Sequence, residues 1–331
     1  EPFLSRYDDP YCGEIAYTDQ QVVRLLDALG QLGIRERTLV VLTADHGECL
    51  GEHDEETHLY FVYNTTMHVP LIIHCPGQLP AGQRVAFQVR LIDIVPTILA
   101  FLGHTETTAT QGENLLALFD GEPENPQWDA YGESLGGYLA MDLAPLRCLQ
   151  ADGWKYIHAP KPELYHLNDD PGETNNLIDR EPQRQDAMLE RLKSLIANGP
   201  PPPTAGTAQR PTNTDVQRLM SLGYVGGGSR PAKAGGLPAR ELDLLKPTGP
   251  DPKDHTAAIA LQGDATYAML HGNYAQAEAI LVQLRQQFPQ SPAVACRLAR
   301  SLFQQGKDDA AIEVYQEIVA AVPDYAEAHY G

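Results

Sequence analysis

Positive charge is scarce in this 331-residue chain: 24 Lys and Arg stand against 44 Asp and Glu, a formal net charge of −20. Such a chain has no basic face to neutralise a phosphate backbone, which argues against nucleic acid and anionic membranes as partners. Cysteine is thin as well. Cys12, Cys49, Cys75, Cys148 and Cys296 are scattered, odd in number and without CxxC spacing, so they support neither a disulfide framework nor a thiolate zinc site. No apolar run approaches the roughly 18 residues that a membrane helix needs. The chain opens on Glu1, without an initiator Met or a signal-like segment, and we expect its true N-terminus to lie upstream. What is present is a 43% hydrophobic content, enough for a globular chain with about two domains.

The apolar residues Ile15, Val22, Val23, Leu26 and Leu29 recur at helical spacing, with Gly30 and Gly33 where a left-handed cap would end the helix. "TLVVLT" (Thr38–Thr43) is β-branched and continuously apolar, the pattern of a strand buried on both faces of a parallel sheet, and "VPLIIHCPG" from Val69 reads as a second such strand. "VRLIDIVPTILAFLG" is helical, with Pro96 in its first turn and Gly103 as its stop. This alternation predicts an α/β sheet sandwiched by helices. Beyond about Asp120 the segments shorten: "WKYIHA" and "ELYHLNDDPGETNNL" predict a small antiparallel sheet.

Residues 199–250 read as a linker, since Pro200–Pro252 hold ten of the 26 prolines and "GGG" stands at 226–228. Residues 251–331 carry an internal repeat. Ala265 and Ala299, Gly272 and Gly306, Ala277 and Ala311, and Pro289 and Pro323 are each 34 residues apart, the tetratricopeptide period. Two repeats of paired helices are expected, with a third starting near Tyr325.

Chemistry concentrates in "TADHGECLGEHDEETH". An Asp at the carboxyl end of a strand projects where open α/β sheets place ligands, and Asp45 beside His46 suits a divalent cation. Two ligands are fewer than the four that zinc takes or the six to eight that calcium takes. His53 and His58 lie in an acidic stretch with Glu48, Glu52, Asp54, Glu55 and Glu56, most of which read as solvated charge. "HDEETH" is not the zincin HExxH: its histidines are five apart and share no helical face. "GESLG" (Gly132–Gly136) fits G-x-S-x-G, but its flanks lack the strand and long helix of a nucleophile elbow.

"YCGEIAYTDQQVVRLLDALGQLG", "TLVVLTADHGECLGEH", "VPLIIHCPG", "LIDIVPTILAFLG" and "DGWKYI…ELYHLNDDPGETNNL" stand in the order seen in the C-terminal half of sulfatases. Residues 1–198 thus resemble the C-terminal portion of a sulfatase of the alkaline phosphatase superfamily, fused to tetratricopeptide repeats. The resemblance implies an alkaline-phosphatase-like α/β fold, with Asp45 and His46 as ligands of a divalent ion (Ca, Mn, Mg or Zn). It makes His58 the residue that contacts the transferred group and the leaving oxygen, and His53 an adjacent substrate-side residue. Relatives commonly carry glycine where this chain has Asp54 and Leu59, so the loop bearing His58 is expected to lose backbone freedom.

The family nucleophile, a formylglycine made from Cys or Ser, sits in an N-terminal motif that does not occur here, nor do the family's N-terminal metal-binding aspartates. The expectation is a metal-dependent hydrolase of sulfate esters in the intact protein, with this chain inactive alone. A phosphodiesterase or phosphonate monoester hydrolase of the same superfamily is the nearest alternative, favoured by His46 where many sulfatases have Asn. A non-catalytic protein that binds a partner through its repeats is the rival from another class. The resemblance further suggests a periplasmic or membrane-anchored bacterial protein.

Overall fold

A computed structural model describes residues 9–104, 110–119, 121, 128–199, 247–323 and 325–330. The expected linker lies outside the described residues from 200 to 246. In chain order the elements are α1 (Pro10–Gln31), β1 (Val40–Thr43), α2 (Asn64–Met67), β2 (Leu71–His74), α3 (Ile94–Phe101), β3 (Ala130–Ser134), α4 (Gly136–Met141), β4 (Leu146–Ala151), β5 (Trp154–His158), β6 (Glu163–His166) and α5 (Pro182–Ala197). The helices α6 (Thr256–Leu270), α7 (Tyr274–Gln287), α8 (Pro292–Gln304), α9 (Asp308–Ala321) and α10 (Ala326–Tyr330) follow. They group into two compact units, Glu1–Asp45 with Val69–Trp128, and His46–His68 with Asp129–Gly331. No helix among the described residues is long and apolar enough to cross a membrane.

In the first unit, α1 starts where the Asp9 carboxylate accepts from the Tyr11 N–H and Pro10 supplies the first helical residue. Gly33, at φ 66°, takes the left-handed position beyond its end, while Gly30 stays within the helix. Val22, Leu26 and Leu29 form a half-buried stripe, whereas Ile15 and Val23 are exposed. β1 and β2 pair antiparallel, Val41 opposite Ile73, which corrects the parallel, doubly buried strands expected from the sequence. An apolar run reports a tendency to be buried and says nothing of strand direction. Val40–Leu42 are in fact half-buried, and Ile72 is exposed. α3 has Pro96 in its first turn and Gly103 (φ 80°) after its end. Just before α3 the buried Asp93 pairs with Arg90, Nη2 to Oδ1 2.7 Å.

The second unit is organised by the antiparallel sheet β3-β4-β5-β6. Strand alternation sends Leu149, Ala151, Tyr156 and Leu164 to one face, where Met188 and Leu192 of α5 cover them. It sends Leu146, Cys148, Ile157 and Tyr165 to the other face. There they share one core with Tyr60–Tyr63, with Met141 of α4 and with the buried alanines and leucines of the repeats. Asp152 (φ 55°) and Gly153 (φ 77°) form the two-residue turn between β4 and β5, both left-handed as a type I′ hairpin requires.

The 34-residue period is realised in full. Gly272 and Gly306 turn at φ 74° and 71°, Ala265, Ala277 and Ala299 are 0% exposed and Ala311 2%, and α10 starts 34 residues after α8. Two repeats are fewer than a free-standing array needs, and these dock. Arg297 of α8 donates to the Ala140 carbonyl (2.7 Å), Ser291 Oγ to Asp142 Oδ2 (2.7 Å), and the Ala144 N–H to the Pro250 carbonyl (2.8 Å). A buried ion pair completes this unit: Lys155 Nζ lies 2.8 Å from Glu173 Oε1 and 3.0 Å from Asn64 Oδ1, with Lys155 and Glu173 0% and 1% exposed.

Candidate functional site

Two residues beyond β1 stands the exposed Asp45, and His46 follows it in the chain. The next residue, Gly47, is dictated by packing. Its N–H donates to the Thr66 carbonyl at 2.8 Å, and a Cβ added there would sit 2.1 Å from the Thr65 carbonyl oxygen. His46 Nδ1 lies 2.8 Å from the Gly47 carbonyl oxygen. A carbonyl can only accept, so Nδ1 carries a hydrogen, and in the neutral ring the lone pair then lies on Nε2.

The His58 ring stacks on His46, centroids 4.0 Å apart and planes 16° from parallel. His58 Nδ1 is 3.8 Å from Glu48 Oε1. The structure thus brings together two of the four residues singled out in the sequence. His53 instead lies flat on Tyr63, centroids 3.6 Å apart at 10°. Tyr63 is held in turn by its hydroxyl, which donates to Glu163 Oε2 (2.9 Å) in a buried setting that pushes its pKa well above the usual phenol range. His53 (φ 55°) and Asp54 (φ 60°) are both left-handed. Asp54 therefore adopts a backbone conformation that favours glycine, and the chain keeps the turn at a steric cost.

Glu55 departs from the expectation of solvated acids around these histidines. It is 1% exposed, and its carboxylate accepts from the N–H groups of Leu59 (3.2 Å), Tyr60 (2.8 Å) and Phe61 (3.2 Å) and from the Thr57 hydroxyl (3.1 Å). The chain after His58 wraps around this one carboxylate, whose pKa burial raises above the usual range. The signal for it was the apolar "LYFVY" that follows, which has to fold inward and leaves its amides in need of an acceptor. In the "GESLG" stretch a strand does precede Ser134, but the helix after it has six residues. The Ser134 hydroxyl donates to the Leu59 carbonyl at 2.7 Å.

A divalent ion is the cofactor that the resemblance implies. His46 fits it: an imidazole whose Nδ1–H is engaged by a backbone carbonyl presents Nε2 in fixed orientation, the usual arrangement of a metal-ligating histidine. Among the described residues no group of three or more His, Cys, Asp or Glu side chains converges as a metal cluster.

Residues 4–104 match the sulfatase family model, and residues 268–330 match that of the tetratricopeptide repeat. Arylsulfatase K of Bos taurus is 30% identical over 202 residues, which cover 56% of this chain and 36% of that protein. The uncharacterized sulfatase YidJ of Escherichia coli (strain K12) is 32% identical over 170 residues, 49% of this chain and 32% of that protein. The solved structure of BT4656 in complex with its substrate D-glucosamine-2-N,6-O-disulfate superposes with a TM-score of 0.52 at 25% identity, over 57% of this chain and 40% of that one. The chain spans about a third of the length of the curated relatives it matches.

Proposed function

We propose that the intact protein is a metal-dependent hydrolase of sulfate esters, in which Asp45 and His46 hold a divalent ion and His58 assists the leaving group. The observation that carries this reading is the His46–His58 pair with His46 Nδ1 committed to the Gly47 carbonyl. A bound divalent ion would supply Lewis-acid stabilisation of the transferred sulfuryl oxygens. His46 contributes a pre-oriented Nε2, and Glu55 holds the chain directly after His58 through the Leu59 and Tyr60 amides. His58 Nδ1 lies 3.8 Å from Glu48 Oε1, and in this reading the His58 imidazole is the group that protonates the departing alkoxide. His53, on its left-handed turn, belongs to the substrate side of this reading.

The site residues offer two ligands and no nucleophile in the family's sequence context, so the 331-residue chain is expected to bind metal weakly and to turn over nothing by itself. The repeats add a surface of the kind that helical solenoids use to hold proteins. Two measurements test the reading. Mn²⁺ should broaden the His46 resonances of this chain, and Asp45→Ala should abolish the effect. The full-length gene product should hydrolyse nitrophenyl sulfate faster than phosphate diesters or phosphonate esters, with His46→Ala and His58→Ala each losing at least about 100-fold, the scale of general acid catalysis. A preference for the diester or phosphonate would transfer the assignment to those classes. Full activity in His46→Ala would end it.

A further inference from the structure

We propose that Ser134 is a positioning residue for His58; the inference rests on the role given to His58 above. Ser134 ends β3, and its hydroxyl donates to the carbonyl of Leu59, the residue directly after His58, at 2.7 Å. The same oxygen accepts from the Gly136 N–H at 3.3 Å. On its other side, Leu59 is held by its N–H, which donates to Glu55 Oε1 at 3.2 Å. Both peptide groups that flank Leu59 are therefore fixed, one by a carboxylate and one by a hydroxyl, and with them the direction of the His58 Cα–Cβ bond.

The third element of this brace is a missing side chain. A Cβ on Gly136 would lie 2.2 Å from the Leu59 carbonyl oxygen, so the Leu59 peptide rests against the start of α4 in space that only glycine leaves open. The G-x-S-x-G spacing thus serves support and not nucleophilic attack. Its serine hydrogen is spent on a backbone carbonyl, whereas a nucleophile needs that hydrogen directed at a base. A hydroxyl two residues from a helix start thus restrains a loop that has no regular structure between Glu55 and Tyr63.

The test reads the geometry of the two imidazoles in the metal-free chain, so it can fail while the hydrolase reading stands, and the reverse. In the wild type, the stacked His46 and His58 rings should show mutual upfield ring-current shifts and a ring-to-ring nuclear Overhauser effect. Ser134→Ala should lose both while keeping the far-ultraviolet spectrum, Ser134→Thr should restore them, and Gly136→Ala should lose them through steric contact with the Leu59 carbonyl. A folded Ser134→Ala chain with unchanged ring shifts overturns the proposal. If that variant does not fold, the wild type decides. Exchange of the Ser134 hydroxyl hydrogen for deuterium should shift the Leu59 carbonyl carbon resonance, and absence of that isotope shift overturns the proposal equally.

Discussion

In the second unit Leu149, Leu164, Leu192, Leu281 and Leu284 are 0% exposed, and their neighbours form two continuous cores on the faces of one sheet. In the first unit, the buried aliphatic, aromatic or cysteine side chains among the described residues are Cys75, Pro96, Leu115 and Leu118. Ile15, Val23, Leu25 and Ile72 there are 46–69% exposed. The sequence patterns behind the two units are similarly apolar; α1 and "VVLT" are as well marked as any segment of the repeats. The difference lies in partners. A helix or strand can be specified by spacing, caps and propensity, yet it gains tertiary stability only from elements that cover its apolar face. The repeats have such elements at every step, and α1 has a half-buried stripe only.

The sharpest way to break this contrast is hydrogen exchange. Amides of β4 and β5 should exchange only with global unfolding of their unit, and those of α1 from Val22 to Leu29 should show protection close to zero on the same scale. Equal protection would mean that α1 has partners we have not recognised. Next comes Lys155→Ala, which strands the buried Glu173 carboxylate and should cost about 3–5 kcal/mol. The chain has two tryptophans, Trp128 in the first unit and Trp154 in the second, so urea unfolding followed in a Trp128→Phe background reads the second unit alone. No loss there would show that the pair is solvated.

Glu55→Gln should cost about 1–3 kcal/mol, because both carboxyl oxygens accept from the N–H groups of Leu59, Tyr60 and Phe61, and an amide keeps only one acceptor oxygen and sets an NH2 donor against the others. It also has a pH signature. Burial raises the native carboxyl pKa above its unfolded value, so its contribution to stability is complete below the unfolded pKa and is lost as the pH rises through the raised native pKa. The wild type should show that fall in urea midpoint and the Gln variant should lack it. The smallest effect is a gain: Asp54→Gly, at φ 60°, should stabilise the second unit by about 0.5–1 kcal/mol. A loss would mean that the Asp54 carboxylate contributes more than the turn strain removes.

The repeats were the most legible part of the fold, because four residue pairs at one period fix both helix ends and contact points. Gly272 and Ala277 landed where that period put them. Strand direction in β1 and β2 was not legible, since an apolar run is the same string read either way along a sheet. Of the candidate site, the His46–Gly47 corner was visible as a short motif; His58 was singled out by family resemblance, and its stacking on His46 was not foreseen by resemblance or spacing. Glu55 and Ser134 escaped because their partners are backbone groups, and a backbone carbonyl or N–H has no letter in the sequence.

The contact of α8 with the sheet-bearing part of its unit bears on how such a fusion can be altered by recombination. Arg297 and Ser291 lie within the second repeat, while Ala140 and Asp142, which they hold, belong to the α4 region. The junction is therefore a grafted seam and not a socket. Another repeat array inserted at residue 251 would have to reproduce a guanidinium and a hydroxyl at those two helical positions, together with the small residues around them. Exchange of the array is constrained accordingly: substitutions that leave the seam intact are those on the helix faces that look away from it.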